Sequence, residues 1–595
     1  MNIPHERQYR ALELPEIITG LLAMLIVLWE VCFAGLANGT SELEMFEKGL
    51  HLLLCGVVWL NTAIVLLHFL TKLLHRQHPG RFLVWQLITG LIASCIFWGG
   101  IRQALPDHAF PVSMLLSFTI GIYSFITIGA LARAHRAQNR PRSKSRWSPA
   151  VIFFTWMIAF VLVSTLLLLT PGATHHPISF TDAFFTCASA ISITGLTCVD
   201  VANTFTALGK VVLLVDIQIG AMGVMTFSYF VLLMVGKQLA VRDRVAISSL
   251  LDQQGVNIIP ALIKAVIFIT FSVEAIGATL LYLHWDGTPG IPQEHLWFLA
   301  LFHAVSAFCN AGISLFPQNM AEACVAHDKI VQSVMMMLTL AGTLGFSVYL
   351  EALTRLRNKV TGKRNPVRWS THSWLVVRVT LIVMLTGAVG LAFLGALEPS
   401  AHAQAADFNI WESLWNTIGR SAGFNITDIG EYGPVYHLFL CLLMFVGGNP
   451  AGTGGGIFAP VFALCILEVL RVLRGQQDLE LHGRRIARNT VERAMATVVL
   501  STFWIAASTM LLLLLEPGIS QAANGTIKLL FLEISAYTTT GFSICNPGDL
   551  SDVSKFFISA NMLFGRVGMF TFMLIFIKQK DPSPVRYPET RLPLT

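Results

Sequence analysis

Apolar stretches long enough to cross a membrane recur along the whole chain, and they restrict its fold more than any other feature. A helix of about 20 apolar residues spans the hydrocarbon core of a bilayer. Only 12% of the 595 residues are charged and 54% are hydrophobic, whereas soluble proteins carry about 25% charged residues. Because lipid cannot satisfy backbone hydrogen bonds, spanning segments are helices or closed barrels, and continuously apolar runs indicate helices. The sequence therefore predicts an all-α polytopic membrane protein.

The basic residues are concentrated in alternate loops, which is the usual signal of membrane topology. Segments such as RAHRAQNRPRSKSR alternate with weakly basic loops such as HWDGTPGIPQEH. We expect the basic loops and both termini to be cytoplasmic. The net charge of +6 then requires no nucleic-acid partner. The ten cysteines form no CxxC pair, which favours free thiols over a disulfide framework or a metal site.

Four short segments between the apolar runs resemble one another, which indicates an internal repeat. Aligned on a central glycine, they read SAISITGLT, SAFCNAGIS, TIGRSAGFN and SAYTTTGFS. The aligned residues are Gly195, Gly312, Gly423 and Gly541, at separations of 117, 111 and 118 residues (312 − 195, 423 − 312 and 541 − 423). A hydroxyl residue stands six positions before each glycine. Each segment lies between two long apolar runs, so each repeat predicts a helix, a re-entrant loop and a second helix.

The repeats do not account for the N-terminal quarter of the chain. Its own apolar runs predict four further spans, at 14–37, 50–74, 82–102 and 111–133. The basic stretch that follows them is a natural boundary. The predicted organisation is an N-terminal extension over 1–147 and four repeats, over 148–245, 246–368, 369–490 and 491–595, the last including a cytoplasmic C-terminus.

Non-helical backbone at membrane depth is tolerated only where it is buried in protein or lines an aqueous cavity. Glycine permits positive φ angles at a bend, and rings of carbonyl oxygens can replace the hydration shell of a cation. Four bends in register therefore predict four pseudo-symmetric re-entrant pore loops around a central pore. A small-residue motif for helix packing is the better explanation of one such segment, but not of four. The predicted filter residues are Ile193, Thr194, Gly195, Asn310, Ala311, Gly312, Ser421, Ala422, Gly423, Thr539, Thr540 and Gly541.

These segments resemble the Trk/Ktr/HKT superfamily of potassium transporters over about Pro149 to Lys578. ITGLTCVDVANTFTALGKVVLLVDIQIGAMGVMTF is similar to that family's first filter and following helix, and FHAVSAFCNAGIS, RSAGFNITDIG and EISAYTTTGFS are similar to the other three filters. The resemblance implies potassium uptake, a homodimer and cytoplasmic nucleotide-binding regulatory subunits of the RCK/KTN type. Sodium is left open as a coupling or activating ion. In the superfamily, serine in place of the first filter glycine accompanies sodium transport, so Gly195 implies potassium.

A glycine-rich segment, FVGGNPAGTGGGIF at 445–458, interrupts an apolar run of the third repeat. So many helix-breaking residues predict a flexible loop at membrane depth. The segment resembles the family's intramembrane gating loop, although Phe458 stands where the family often has a basic residue. The predicted gate residues in it are Gly447, Gly448, Gly452, Gly454, Gly455 and Gly456.

Arg566 lies in an otherwise apolar run, and a charge at membrane depth is a functional candidate by default. Lys578 follows 12 residues later (578 − 566), about 18 Å of helix, which argues against a side chain that snorkels to the surface. The resemblance implies that Arg566 projects into the pore below the filter as a cation barrier. The role of Asp216 stays open: it could pair with an arginine such as Arg420 or Arg566, or tune cation entry, and a structural pairing is favoured. Arg420 is expected to brace the third filter rather than to bind ions.

Two other functions stay open. The potassium-binding subunit of a P-type ATPase complex shares this fold, but its longer extracellular regions are missing here. A polytopic membrane enzyme belongs to a different class, and the lack of a clustered His/Asp/Glu set argues against it. The chain carries no Walker motif, so nucleotide control must come from another chain. The sequence therefore predicts a transporter rather than an enzyme.

Overall fold

The computed structural model describes residues 149–223, 259–360, 369–397, 409–450 and 452–568, and four helical positions at 60, 62, 63 and 66. Apart from those four positions, the predicted N-terminal spans at 14–37, 50–74, 82–102 and 111–133 lie outside the described residues. So does the predicted cytoplasmic C-terminus.

The described part is almost entirely helical and forms four successive groups. The first contains α1 (Pro149–Leu168), α2 (Phe180–Ser192), α3 (Val201–Thr204) and α4 (Ala207–Met222). The second contains α5 (Ile259–Trp285), α6 (Leu296–Phe308), α7 (Lys329–Thr343) and α8 (Phe346–Val360). The third contains α9 (Thr371–Leu397), α10 (Ile410–Gly419), α11 (Pro434–Phe445) and α12 (Ala459–Leu473). A hairpin of β1 (Glu480–Leu481) and β2 (Arg484–Arg485) leads to the fourth, with α13 (Arg488–Leu515), α14 (Pro517–Ser520), α15 (Gly525–Tyr537) and α16 (Asp552–Val567).

Within the described ranges, three helical stretches are long and apolar enough to cross a membrane: Val266–Trp285 in α5, α9 and α13. The helices α7 and α8 meet at an angle of 97° and count as a fourth if they form one bent span. Only 28% of the residues in each of the three apolar windows are buried inside the protein. Most of their apolar surface therefore faces outward, as it does in a helix surrounded by lipid.

The short helices α2, α6, α10 and α15 lie inside this shell of longer helices. The hydroxyl residue that recurs six positions before each aligned glycine is almost completely buried in all four, as Ser189, Ser306, Thr417 and Ser535. The fourth group packs against the first, since Lys555 Nζ of α16 lies 2.8 Å from Asp182 Oδ1 of α2. The four groups therefore close on each other and bury the ends of the short helices at the centre.

Candidate functional site

The loops that follow the four short helices all turn at the aligned glycine. Gly195, Gly312, Gly423 and Gly541 have φ angles of 92°, 67°, 74° and 94°. These angles lie in a region that residues with a Cβ rarely adopt. The backbone conformation therefore favours glycine at all four positions, which we call the glycine ring.

The glycine ring is closed, because each member touches the next along the chain and the last touches the first. A Cβ placed on Gly195 would lie 2.5 Å from the carbonyl oxygen of Ala311 and 3.2 Å from the Cα of Gly312. The same construction brings Gly312 against Gly423, Gly423 against Gly541, and Gly541 against Gly195. At every junction the nearest atom is a carbonyl oxygen of the residue before the next glycine: Ala311, Ala422, Thr540 or Thr194.

In three of the four loops, the residue two positions before the glycine also has a left-handed backbone conformation. Ile193, Asn310 and Thr539 have φ angles of 60°, 60° and 51°. For residues with a Cβ, such conformations cost about 1–3 kcal/mol each, and they cluster at functional sites. The third loop differs, because its glycine amide bonds directly to the carbonyl of Gly419, at 2.6 Å.

The recurring hydroxyl six positions before the glycine has a structural role in these turns. Ser189 Oγ accepts a hydrogen bond from the amide of Gly195 at 3.0 Å, and Ser535 Oγ accepts one from the amide of Gly541 at 3.0 Å. In the second loop, Ser306 Oγ donates to the carbonyl of Ile313 at 2.7 Å. The hydroxyls thus fix the backbone of three of the four loops by hydrogen bonds.

A second set of glycines, which the sequence reasoning did not single out as a group, places the neighbouring helices against the loops. A Cβ on Gly220, Gly342 or Gly565 would collide with the carbonyl oxygen of the residue four positions before a ring glycine. Those residues are Ile191, Phe308 and Tyr537. Each of the three glycines also precedes another positive-φ glycine by three residues, namely Gly223, Gly345 and Gly568. This recurrence was the signal available in the sequence.

The glycine-rich segment 445–458, here called the Gly-rich loop, folds back on itself beside these loops. The amide of Gly447 donates to Ile457 at 2.8 Å, and that of Gly448 donates to Gly455 at 3.0 Å. A Cβ on Gly455 would collide with Thr539 Oγ1, and one on Gly456 would lie 3.1 Å from the carbonyl oxygen of Thr538. The Gly-rich loop therefore lies against the fourth of the loops that carry the ring.

Thr453 attaches the Gly-rich loop to the second loop as well. Its Oγ1 donates to the carbonyl of Phe308 at 2.9 Å and accepts a hydrogen bond from Asn310 Nδ2 at 2.6 Å. Its amide donates to the carbonyl of Gly342 at 3.0 Å. The left-handed residue of the second loop is thus bonded directly to the segment predicted to be the gate.

Arg566 also lies at the Gly-rich loop. Its Nη1 donates to the carbonyl of Thr453 at 2.7 Å, and its Nη2 donates to the carbonyl of Gly220, at the end of α4, at 2.9 Å. A cavity of about 290 Å³ borders Arg566, Gly454, Gly456 and Tyr537. The structure therefore brings together the arginine and the glycine-rich segment that were predicted separately.

Among the described residues, Asp216 has a serine rather than an arginine as its hydrogen-bond partner. Asp216 accepts a hydrogen bond from Ser164 Oγ of α1 at 2.5 Å. Arg420 donates to the carbonyls of Leu443 and Val446 at the end of α11. Backbone carbonyls at a helix end carry partial negative charge, so they stabilise the guanidinium without a carboxylate. Arg420 thereby ties the third short helix to α11.

The glutamates of the apolar runs make hydrogen bonds between helices. Glu533 Oε1 accepts from Ser508 Oγ at 2.6 Å and from Asn561 Nδ2 at 2.9 Å, which links α15 to α13 and α16. Glu274 Oε1 accepts a weaker hydrogen bond from Cys309 Sγ at 3.5 Å. Within the described part of the chain, no three His, Cys, Asp or Glu residues are grouped as a metal site would require.

Comparison with known proteins assigns the chain to a family. A family profile described as TrkH, cation transport protein, matches residues 115–585. The chain belongs to this family. The Ktr system potassium uptake protein B of Bacillus subtilis is 30% identical over 453 residues, which cover 75% of this chain and 96% of that protein. The potassium/sodium uptake protein NtpJ of Enterococcus hirae is 24% identical, covering 76% of this chain and 99% of that protein.

The fold agrees with this assignment. The crystal structure of the potassium transporter TrkH from Vibrio parahaemolyticus superposes with a TM-score of 0.58 at 16% identity, covering 83% of this chain and 97% of that one. The predicted Trk/Ktr membership is confirmed. As a member of a family of cation transport proteins, the chain is a transporter rather than an enzyme.

Proposed function

We propose that the chain takes up potassium through a filter formed by the four loops that carry the glycine ring. The observation that supports this most directly is the closed contact of Gly195, Gly312, Gly423 and Gly541, with a carbonyl oxygen at each junction. Such carbonyls can replace the water around a cation. The names of the relatives point to the same ion, since they are potassium or potassium/sodium uptake proteins.

In this proposal, the segments 148–245, 246–368, 369–490 and 491–595 are four pseudo-symmetric repeats around the pore. In each loop, the residues at the pore are the ring glycine and the two residues before it: Ile193 to Gly195, Asn310 to Gly312, Ser421 to Gly423, and Thr539 to Gly541. The short helices end at the loops, so the negative ends of their dipoles favour a cation there. Residues 1–147 form a separate extension of four spans.

The Gly-rich loop and Arg566 form the gate. Arg566 places a positive charge beside the cavity next to the ring loops, and this charge repels a cation that leaves the filter. Its two hydrogen bonds hold the Gly-rich loop against α4. Opening therefore requires Thr453 to leave Arg566 and Asn310. The glycines of the loop, which lack side chains, permit that rearrangement.

The remaining assignments follow the family. We propose a homodimer in the bacterial inner membrane, with both termini in the cytoplasm and with nucleotide-binding regulatory subunits of the RCK/KTN type as partners. Sodium acts as a coupling or activating ion in this scheme, in keeping with the potassium/sodium relative.

The test is growth of a potassium-uptake-deficient bacterium at low potassium, together with rubidium uptake. We expect the wild type to restore both, and Gly312→Ala to abolish uptake, because its Cβ would collide with the carbonyl of Ala422. Membrane levels of both proteins are compared by immunoblot. Absence of rescue by the wild type, even with a co-expressed regulator, would contradict potassium uptake by this chain and favour a subunit of a P-type ATPase complex.

A further inference from the structure

A large groove in the described part of the chain lies between helices of the third and fourth groups. It has a volume of about 1060 Å³ and runs between α9, α11, α12, α13 and α15. Small-molecule sites occupy about 300–1,000 Å³, so the groove lies at the upper end of that range. Its lining is almost entirely apolar, with Ile382, Leu442 and Ile466 among the residues exposed in it.

An apolar lining is expected on any surface that faces lipid, so the charged group in the groove is the informative feature. Arg378 lines it and is exposed. It lies seven residues after the start of α9 (378 − 371), about 10 Å of helix. Among the described residues, no ion pair includes Arg378. Within α9, which is long and apolar enough to cross a membrane, a charge is expensive unless it is paired.

The environment of Arg378 leaves its hydrogen-bond donors free for a ligand. Its guanidinium carbon lies 4.0 Å from the ring centre of Trp374, one turn earlier on α9. Stacking uses the face of the guanidinium, whereas its five N–H groups point outward in the plane. The hairpin closes the same end, since Leu481 lines the groove and His482 packs on Trp374 with ring centres 5.1 Å apart. A phosphate would find a planar, bidentate partner there.

We propose that the groove binds an anionic glycerophospholipid, with its phosphate at Arg378 and an acyl chain along α9. The basic segment before α9, RLRNKVTGKRNPVR, predicts that this end faces the cytoplasm. Basic pockets between helices on that side bind anionic headgroups. From Trp374 to Thr386 the groove follows 12 residues of α9, about 18 Å, which is enough to cover most of an acyl chain. The proposal does not depend on the ion that is transported.

A second copy of the chain fits the groove less well. A symmetric dimer places the same surface patch of both subunits face to face. The lining contains Arg378 but no aspartate or glutamate. In such a dimer the same lining from the partner would bring no carboxylate to Arg378, whereas a phosphate diester supplies the missing negative charge.

The test uses the purified full-length protein in detergent, with phosphatidylglycerol as the anionic probe and phosphatidylcholine as the zwitterionic one. Native mass spectrometry measures the fraction of protein that retains each lipid. We expect phosphatidylglycerol to be preferred by the wild type, and Arg378→Gln to reduce its retention about fivefold. Arg378→Lys keeps the charge but loses the planar fork, so we expect an intermediate loss. The matched control is Arg474→Gln, because Arg474 is an exposed arginine at the end of α12 that does not line the groove.

A second measurement locates the lipid in the wild type and does not depend on how the variants fold. Phosphatidylglycerol with a photoactivatable acyl chain should label peptides that contain Ile382, Leu442 or Ile466. Equal retention of phosphatidylglycerol by the wild type and Arg378→Gln would overturn the proposal. Labelling confined to other surfaces would overturn it too, as would protection of the groove by a second copy or by residues 1–147.

Discussion

Substitution of Gly195 by serine tests the glycine ring most sharply. The new Cβ would lie 2.5 Å from the carbonyl oxygen of Ala311, and real Cβ contacts are essentially never closer than 3.0 Å. The oxygen must therefore move by at least 0.5 Å (3.0 − 2.5), and it is one of the oxygens that would bind the ion. The φ angle of 92° adds about 1–3 kcal/mol of backbone strain for a residue with a side chain.

A displacement of this size alters which ion the site prefers but does not abolish the site. We expect the preference for potassium over sodium to fall about tenfold, which corresponds to about 1.4 kcal/mol. The assay is rubidium uptake in cells, with potassium or sodium as the competing ion and with the amount of protein in the membrane measured in parallel.

Gly475→Ser is the matched control, since Gly475 also has a positive φ angle, 64°, but nothing lies within 4 Å of a Cβ placed on it. It also places a side chain at a positive φ angle but without the collision, so we expect its ion preference to match the wild type. Wild-type ion preference in Gly195→Ser, with normal levels in the membrane, would refute the assignment of this glycine to a filter.

Three further predictions concern the gate and the closure of the fold. Thr453→Val removes two side-chain hydrogen bonds to the second loop, each worth about 1 kcal/mol. We therefore expect faster rubidium uptake in the absence of the regulator. An unchanged rate of uptake would contradict the proposed gate. Lys555→Met leaves the partly buried Asp182 without its cation; we expect a loss of about 3 kcal/mol, seen as a lower melting temperature in detergent, and an unchanged temperature would show that the pair is not stabilising. Partial burial raises the pKa of Asp328, but hydrogen bonds from His284 and from two backbone amides outweigh it and leave the pKa below the usual 3.8. The stabilisation is therefore present above about pH 4 and lost as the pH falls through the lowered pKa, so the fall in melting temperature between pH 7 and pH 3 should be smaller for Asp328→Asn.

The aligned glycines show how much of this site could be read from the sequence. A positive φ angle is a local requirement that only glycine meets easily, so residues with the same backbone role remain visible as one recurring letter. The alignment of Gly195, Gly312, Gly423 and Gly541 therefore picked out four residues that the structure brings into contact. Family membership followed from the same segments.

Contacts between side chains were not predictable in this way. The sequence left the partner of Asp216 open, and in the structure it is a serine on a neighbouring helix. The hydrogen bond between Asn310 and Thr453 joins residues 143 positions apart. Neither residue type predicts which residue will be its partner. The groove at Arg378 is formed by five helices and a hairpin, so its existence depends on packing that no local pattern records.

The closed ring has a consequence for the biosynthesis of the protein. Its last junction joins Gly541 to the carbonyl of Thr194, 347 residues earlier in the chain. At about 5–20 residues per second of translation, the first loop waits about 17–70 s for its final neighbour to be made. During that interval nothing from the fourth group can hold Ile193 in its left-handed conformation. The geometry of the first loop is therefore completed only when the fourth group is in place. Defects in α16 should accordingly appear first as slow or incomplete folding of the first loop, although the two lie far apart in the sequence.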